Sequence, residues 1–421
     1  MLRIGLLGVL VGCGRVPEVE PGQEVITADT GADGGCGESR LEGRLSRDLR
    51  LREGCVYWLA GRVDVGDPLA KDPEPVTLRI EAGVTILAGL DARLIVHRGA
   101  RLEAQGTSDA PIIFTADRPK GERGPGDWGG LVLTGQAPIN AGAVAVLPEQ
   151  GVFGGDNPDD GSGILRFVRI EWAGASLNTG VRMPGLGLYG VGASTQVRGV
   201  QVHGAAGDGV ALRGGTVFVS NLLVTGSQGR GVRYTEGWQG GGQFWVVQQA
   251  PTGSHGLDGR TADGKSTPRP ASAPRVSQVS LIGRSSAPEV RGLTLRQGTQ
   301  GRFANLVVVG FDGGDVALDG STFTEAYDGT LVVEVARLGS VVPLVGPELL
   351  MVPPTWTDVA PTDFSKVVAD LQDPVTPSFC VALPGAVPAV GPGFVDSAVV
   401  GGCDPDADWT AGWTTNELEG P

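Results

Sequence analysis

The chain has 421 residues, among them 70 glycines and 29 prolines, and only 19% of its residues are charged. A glycine share more than twice the ordinary ~7%, with no Gly-X-Y period, excludes helical bundles, coiled coils and collagen, while 41% hydrophobic residues exclude a disordered chain. A formal net charge of −14 excludes a nucleic-acid partner, whose phosphates require clustered Lys and Arg.

In chain order, residues 1–12 read as a signal peptide: Met1-Leu2-Arg3 supplies a short positive start, Ile4 to Val11 an apolar run too short to span a bilayer, and Leu10-Val11-Gly12 leads into Cys13. A small residue directly before cysteine is the pattern of a lipidation site, so Cys13 is expected to carry lipid and begin the mature chain. Gly14 behind it, in place of Asp, points to the cell outer membrane. Residues 13–35, rich in Gly, acidic and small side chains, form the expected tether.

Four cysteines remain, Cys36, Cys55, Cys380 and Cys403, an even number in an exported chain. Three pairings are open. The local ones, Cys36 with Cys55 and Cys380 with Cys403, are favoured because each ties down one chain end, at roughly 3 kcal/mol per closed loop. No CxxC or Cys/His cluster supports zinc.

Residues 36–56 are expected to cap the fold, and 57–320 to form its body. There, short apolar alternations restart after glycine, as in VTLRIEAGVTIL (76–87) and RLIVHRGARLEAQG (93–106). Four segments share one pattern: VRGVQVHG (197–204), VSNLLVTG (219–226), VSQVSLIG (276–283) and FANLVVVG (303–310). The sequel Gly207-Asp208-Gly209-Val210 falls over Gly229-Arg230-Gly231-Val232 at the same offset as the first two. Such a period of strands without helices predicts an all-β parallel β-helix, each coil burying its inward residues on the next. Arg169, Glu171, Arg198 and Gln201 should face outward. Asn221, Gln278 and Asn305 share one repeat position, which suits either an amide ladder or a turn preference.

Residues 238–275 interrupt the period and are expected to loop out of the stack. Residues 321–421 should hold the last coils and a C-terminal cap, with a short helix over 362–371 capped by Thr362 or Asp363.

Taken together, Gly126-Asp127-Trp128-Gly129-Gly130, the acidic 156–163 running into LRFVRIEWAG, GGTV (214–217), QVSLIG (278–283) and DWTAGWT (408–414) resemble bacterial β-helix lipoproteins of unassigned function. The resemblance spans roughly residues 57–414 and implies a right-handed parallel β-helix in the cell envelope, with no reaction attached. One departure is that the segment after GGTV lacks the aspartates usual in that family.

Chemistry is sparse. His97, His203 and His255 are scattered and read as coil-surface residues. Gly185-Leu186-Gly187-Leu188-Tyr189-Gly190 matches G-x-G-x-x-G but lacks the strand and helix that make that motif hold a pyrophosphate. Asp156, Asn157, Asp159 and Asp160, with Ser162, offer hard oxygen donors suited to Ca²⁺, and equally suit turns. Asp208, Arg230 and Arg233, with Trp238 and Trp245 as aromatic platforms, make up the expected ligand face. No other cofactor is implied. The sequence therefore predicts a non-enzymatic binding or structural module of the envelope, joined to the membrane by its lipid and to a glycan or another envelope protein. A polysaccharide lyase or glycoside hydrolase on the same scaffold is the alternative.

Overall fold

The computed structural model describes residues 39–67, 75–263, 268–333, 394–395, 402–403 and 407–415 with their side chains. It gives the backbone alone for 36–38, 334 and the strands Ile26–Thr30, Arg337–Leu338, Leu344–Val345, Thr357–Asp358, Leu383–Val387 and Ser397–Val400. The expected signal peptide, Cys13, most of the tether, Cys380 and the expected helix over 362–371 lie outside the described residues.

The fold is the expected parallel β-helix, with three faces. The first stacks 62–65, Arg93–Val96, Gly130–Thr134, Leu186–Tyr189, Val210–Arg213, Val232–Thr235, Leu257–Arg260, Leu293–Arg296 and Val316–Leu318 in parallel register. The second and third faces share long strands that bend once. Their first halves, from 163–166 through 196–198, 218–220, 241–243 and 275–277 to 301–304, stack on the second face, and their second halves on the third.

Period-two alternation explains why the stack holds. On the first face Val63, Leu94, Leu131, Leu186, Val210, Val232, Leu257, Leu293 and Val316 occupy one register level and all belong to the central core. Each coil thus covers its neighbour's apolar residues, at a coil spacing of about 4.8 Å.

The bend between second and third faces is one left-handed residue per coil: Phe167, Gly199, Asn221, Phe244, Gln278 and Asn305, all with φ between 47° and 68°. An L-residue pays about 1–2 kcal/mol there, and asparagine tolerates it best. The shared position of Asn221, Gln278 and Asn305 is therefore a corner. No bond joins these three amides to one another; Gln243 Nε2 donates to Gln278 Oε1 at 2.9 Å, and Asn305 Nδ2 to Ser277 Oγ at 2.9 Å.

The interruption expected at 238–275 is narrower than the sequence suggested. Gly241–Gln249 and Leu257–Arg260 are full members of the stack, so among the described residues of that stretch only 261–263 and 268–274 leave it after Arg260, and Thr261, Ala271 and Ser272 are still buried. Gly242 takes an inward level that Val197, Val219 and Val276 fill in other coils, and the Trp245 indole occupies the space a side chain there would need. A glycine thus hides an apolar level that a tryptophan restores. An unforeseen helix, Gly320–Tyr327, follows the last described full coil, with the Asp319 carboxylate accepting from the Thr322 amide at 2.9 Å.

One outward row on the third face reads Arg169, Gln201, Leu223, Val246, Ser280, Val307, and its three apolar members are buried. The C-terminal segment crosses this row, with Gly402 against Val246. Gln201 Nε2 donates to Thr415 O at 2.7 Å and Gln201 Oε1 accepts from Thr415 N at 2.8 Å; Gly402 N donates to Ser280 Oγ at 2.9 Å; Trp413 packs edge-on against Phe167. Glu171 and Gln201, expected on the outer surface, do face outward, yet both are buried. No helix among the described residues is long and apolar enough to cross a membrane.

Candidate functional site

The outer side of the first face changes character along its length. In its first coils the outward positions Ile95, Val132, Tyr189 and Ala211 are apolar or aromatic and are roofed by Ile139, Phe153, Leu177 and Met183 from two long turns. Glu149, on the same roof, pairs with Arg62 and Arg93 below it. Beyond Ala211 the row of Ile95 and Val132 continues as Arg233, Asp258 and Thr294, and the row of Tyr189 continues as Arg213, Thr235, Arg260 and Arg296. Here the roof ends and a polar trough opens.

Asp208, Arg230 and Arg233, expected as one face, are brought together. Arg230 donates to Asp208 Oδ1 from its backbone N at 2.9 Å and from Nη1 at 3.4 Å, and Arg233 Nη1 lies 3.8 Å from Asp208 Oδ2. The centre of the network is a residue the sequence did not reveal. Asp258, 0% exposed, accepts from Arg230 Nε at 2.7 Å, Arg260 Nη2 at 2.6 Å and Arg296 Nη2 at 2.7 Å. Burial pushes its carboxyl up, but the three guanidinium groups outweigh that and hold it at about 2. On the far side, Arg213 Nη1 donates to Glu236 Oε1 and Asp263 Oδ2, both at 2.8 Å, and Asp263 also pairs with Arg233. Burial raises Glu236, whereas for Asp263 the Arg213 and Arg233 charges overcome burial and lower it.

Where roof and trough meet lies a cavity of about 360 Å³, lined by Gln150, Arg182, Met183, Tyr189, Asp208, Arg213, Arg230 and Arg233 among others. Four arginines face one aspartate across it, in a chain of net charge −14. Arg182 is exposed, donates to Ala206 O at 2.9 Å and has no carboxylate partner among the described residues. Arg213 lies over the Tyr189 ring, 5.7 Å from guanidinium carbon to centroid. The Tyr189 hydroxyl, pushed up to about 12 by burial, donates to Gln150 Oε1 at 2.6 Å.

Other expectations are corrected. Trp238 and Trp245 are each 0% exposed and stack on one another inside the helix, 6.4 Å between centroids, so neither is a ligand platform. His97 and His203 are buried rather than on the coil surface; His97 Nε2 meets Asp64 Oδ1 at 2.6 Å, and His203 packs edge-on against Trp172. In the acidic loop the donors diverge: Asn157 Oδ1 accepts from Asp159 N at 3.2 Å, the buried Asp160 carboxylate accepts from Ser162 Oγ at 3.0 Å, and Asp156 is exposed. Among the described residues no three His, Cys, Asp or Glu side chains are grouped to hold a metal ion, so Asp156, Asn157, Asp159 and Asp160 do not fit Ca²⁺ as a set. Cys55 and Cys403 are buried and disulfide-bonded.

A readable signal for the missed residues did exist. VALR (210–213), LDGR (257–260) and LTLR (293–296) share the form apolar-x-x-Arg and stack with VRYT (232–235), so recognising the coil at 241–260 would have aligned Arg213, Arg260 and Arg296.

The family model described as a pectate-lyase-like β-helix domain matches residues 43–343 of this chain. No curated protein and no solved structure matches it.

Proposed function

Because the chain belongs to the pectate-lyase-like β-helix family, whose scaffold serves either catalysis or binding, we propose that it is a non-enzymatic binding module of the cell envelope that takes an acidic glycan in the trough of its first face. The observation that carries this reading is the cavity where Arg182, Arg213, Arg230 and Arg233 converge in an otherwise acidic protein. Guanidinium forks match carboxylates in two-pronged fashion, and a cationic patch on an acidic surface selects the part of a polyanion that docks.

Binding is favoured over turnover by the state of the same groups. Burial alone would loosen the Arg230 proton, but the Asp208 and Asp258 carboxylates hold it more tightly than usual, which makes Arg230 a poor base for abstracting a proton from a uronate. Glu236 and Asp263 have their proton affinities pushed apart, as a hydrolytic pair requires. Yet Arg213 Nη1 bonds to both, filling the space in which a glycosidic oxygen would sit.

Envelope anchoring rests on Leu10-Val11-Gly12-Cys13. Metabolic labelling with a fatty acid should mark the wild type and not Cys13→Ala; label persisting in the variant contradicts the anchor. For the site, purified protein should retard in a gel containing polygalacturonate and leave the polymer's length unchanged. Depolymerisation abolished by Glu236→Gln would show a hydrolase instead.

A further inference from the structure

The turns joining the third face to the first form one edge of the trough and are hydrogen-bonded from coil to coil: Gly229 N donates to Gly207 O, and Ser254 N to Gly229 O, each at 3.0 Å. Two cavities share this edge. Asp208, Gly229 and Arg230 border the arginine-lined one, while a second, of about 520 Å³, opens on the next two turns between Thr252, Ser254, His255, Ser285, Ser286 and Glu289. Successive coils stack about 4.8 Å apart, so the two openings are neighbours along the helix axis and can hold adjacent residues of one chain-like ligand.

Their chemistry differs. No arginine or lysine lines the second cavity, whose polar groups are hydroxyls, one carboxylate and one imidazole. His255 Nδ1 accepts the Arg291 backbone N–H at 3.1 Å, which leaves the ring hydrogen on Nε2 as a donor. The ring is uncharged at neutral pH: burial pushes it down to about 4, the Asp258 charge opposing and Arg296, Arg230 and Arg291 assisting. Donors and acceptors without a cation suit sugar hydroxyls and offer nothing to a second carboxylate, which Glu289 would repel.

We propose that this second cavity is a subsite for an uncharged, hydroxyl-bearing sugar, so that the trough reads a glycan in which an acidic residue and a neutral one are neighbours. This rests on the acidic-glycan reading of the first cavity.

The test compares two probes carrying equal numbers of carboxylates by titration calorimetry: a hyaluronan oligosaccharide, in which glucuronate alternates with an uncharged amino sugar, and an oligoglucuronate. The wild type should bind the alternating probe at least tenfold more tightly. His255→Gln with Glu289→Gln, which keeps an acceptor for Arg291 N and alters an exposed side chain, should erase that preference by weakening the alternating probe and by lifting the repulsion of a second carboxylate. Equal affinities in the wild type, or a preference that survives the double variant, overturn the subsite and leave the acidic-glycan reading standing. Failure of both probes to bind overturns that reading and the subsite with it.

Discussion

Arg230 and Asp258 meet across two stacked coils, Nε to Oδ2 at 2.7 Å, although 28 residues separate them in the chain. The bond exists because the parallel register sets Arg233 beside Asp258 and so carries the turn bearing Arg230 over the next coil. Asp258 is the common acceptor for three guanidinium groups, and the shape of the trough depends on it.

Asp258→Asn should therefore destabilise the fold by about 3–5 kcal/mol, because removing a buried charge leaves its partners without compensation. Denaturant unfolding followed by tryptophan fluorescence measures this. A loss below about 1 kcal/mol would mean that the network is solvated and loose.

Stability should fall in two steps as pH is lowered. His255 is held at about 4, below its unfolded value of 6.5, so between those pH values the unfolded chain takes up a proton that the folded chain refuses, and stability declines. Asp258 is held at about 2, below its unfolded 3.8, so its contribution is fully present above about pH 4 and is lost as pH falls through 2. Thermal melts from pH 7 to 3 should show the upper step in the wild type and lose it in His255→Gln; an unchanged upper step would exclude His255 as its source.

Trp245→Ala should cost about 3–5 kcal/mol, the usual range for emptying a large aromatic site, and leave glycan affinity unchanged. Its indole fills the space under Gly242 and stacks on Trp238. Reduced affinity with unchanged stability would restore the surface role that the sequence suggested.

That reversal shows what was legible. The coils at 197–226 and 276–310 were readable because Val197, Val219, Val276 and Phe303 keep an apolar residue at one level. The coil at 241–249 was not, because its matching residue is Gly242 and the apolar mass has moved to Trp245. Of the site, Asp208, Arg230 and Arg233 stood out through the 22-residue offset. Asp258, Arg260 and Arg296 stayed hidden behind the unrecognised coil, and Arg182 because no repeat spacing points to the long turn that carries it. The docking of Thr415 on Gln201 and of Gly402 on Ser280, residues more than 120 positions apart, is a tertiary relationship that no local pattern encodes.

The local disulfide pairing that the sequence favours is testable. Leu383 pairs with Val400 and Pro384 with Val399, a hairpin that a Cys380–Cys403 bridge would extend. Arg40 pairs with Trp58, and counting back four residues brings position 36 beside Gly54 and Cys55. Mass spectrometry of an unreduced digest should yield Cys36 linked to Cys55 and Cys380 linked to Cys403. A peptide joining the two chain ends would contradict the local pairing.

The most direct test of the central claim is calorimetric titration of oligogalacturonate into the protein and into Arg182→Ala with Arg230→Ala, at low and moderate salt. Binding by the wild type should be saturable, weaken as salt rises and fall at least tenfold in the double variant, with the substrate recovered intact. Equal affinity in the two proteins, or no binding by the wild type at low salt, would contradict it.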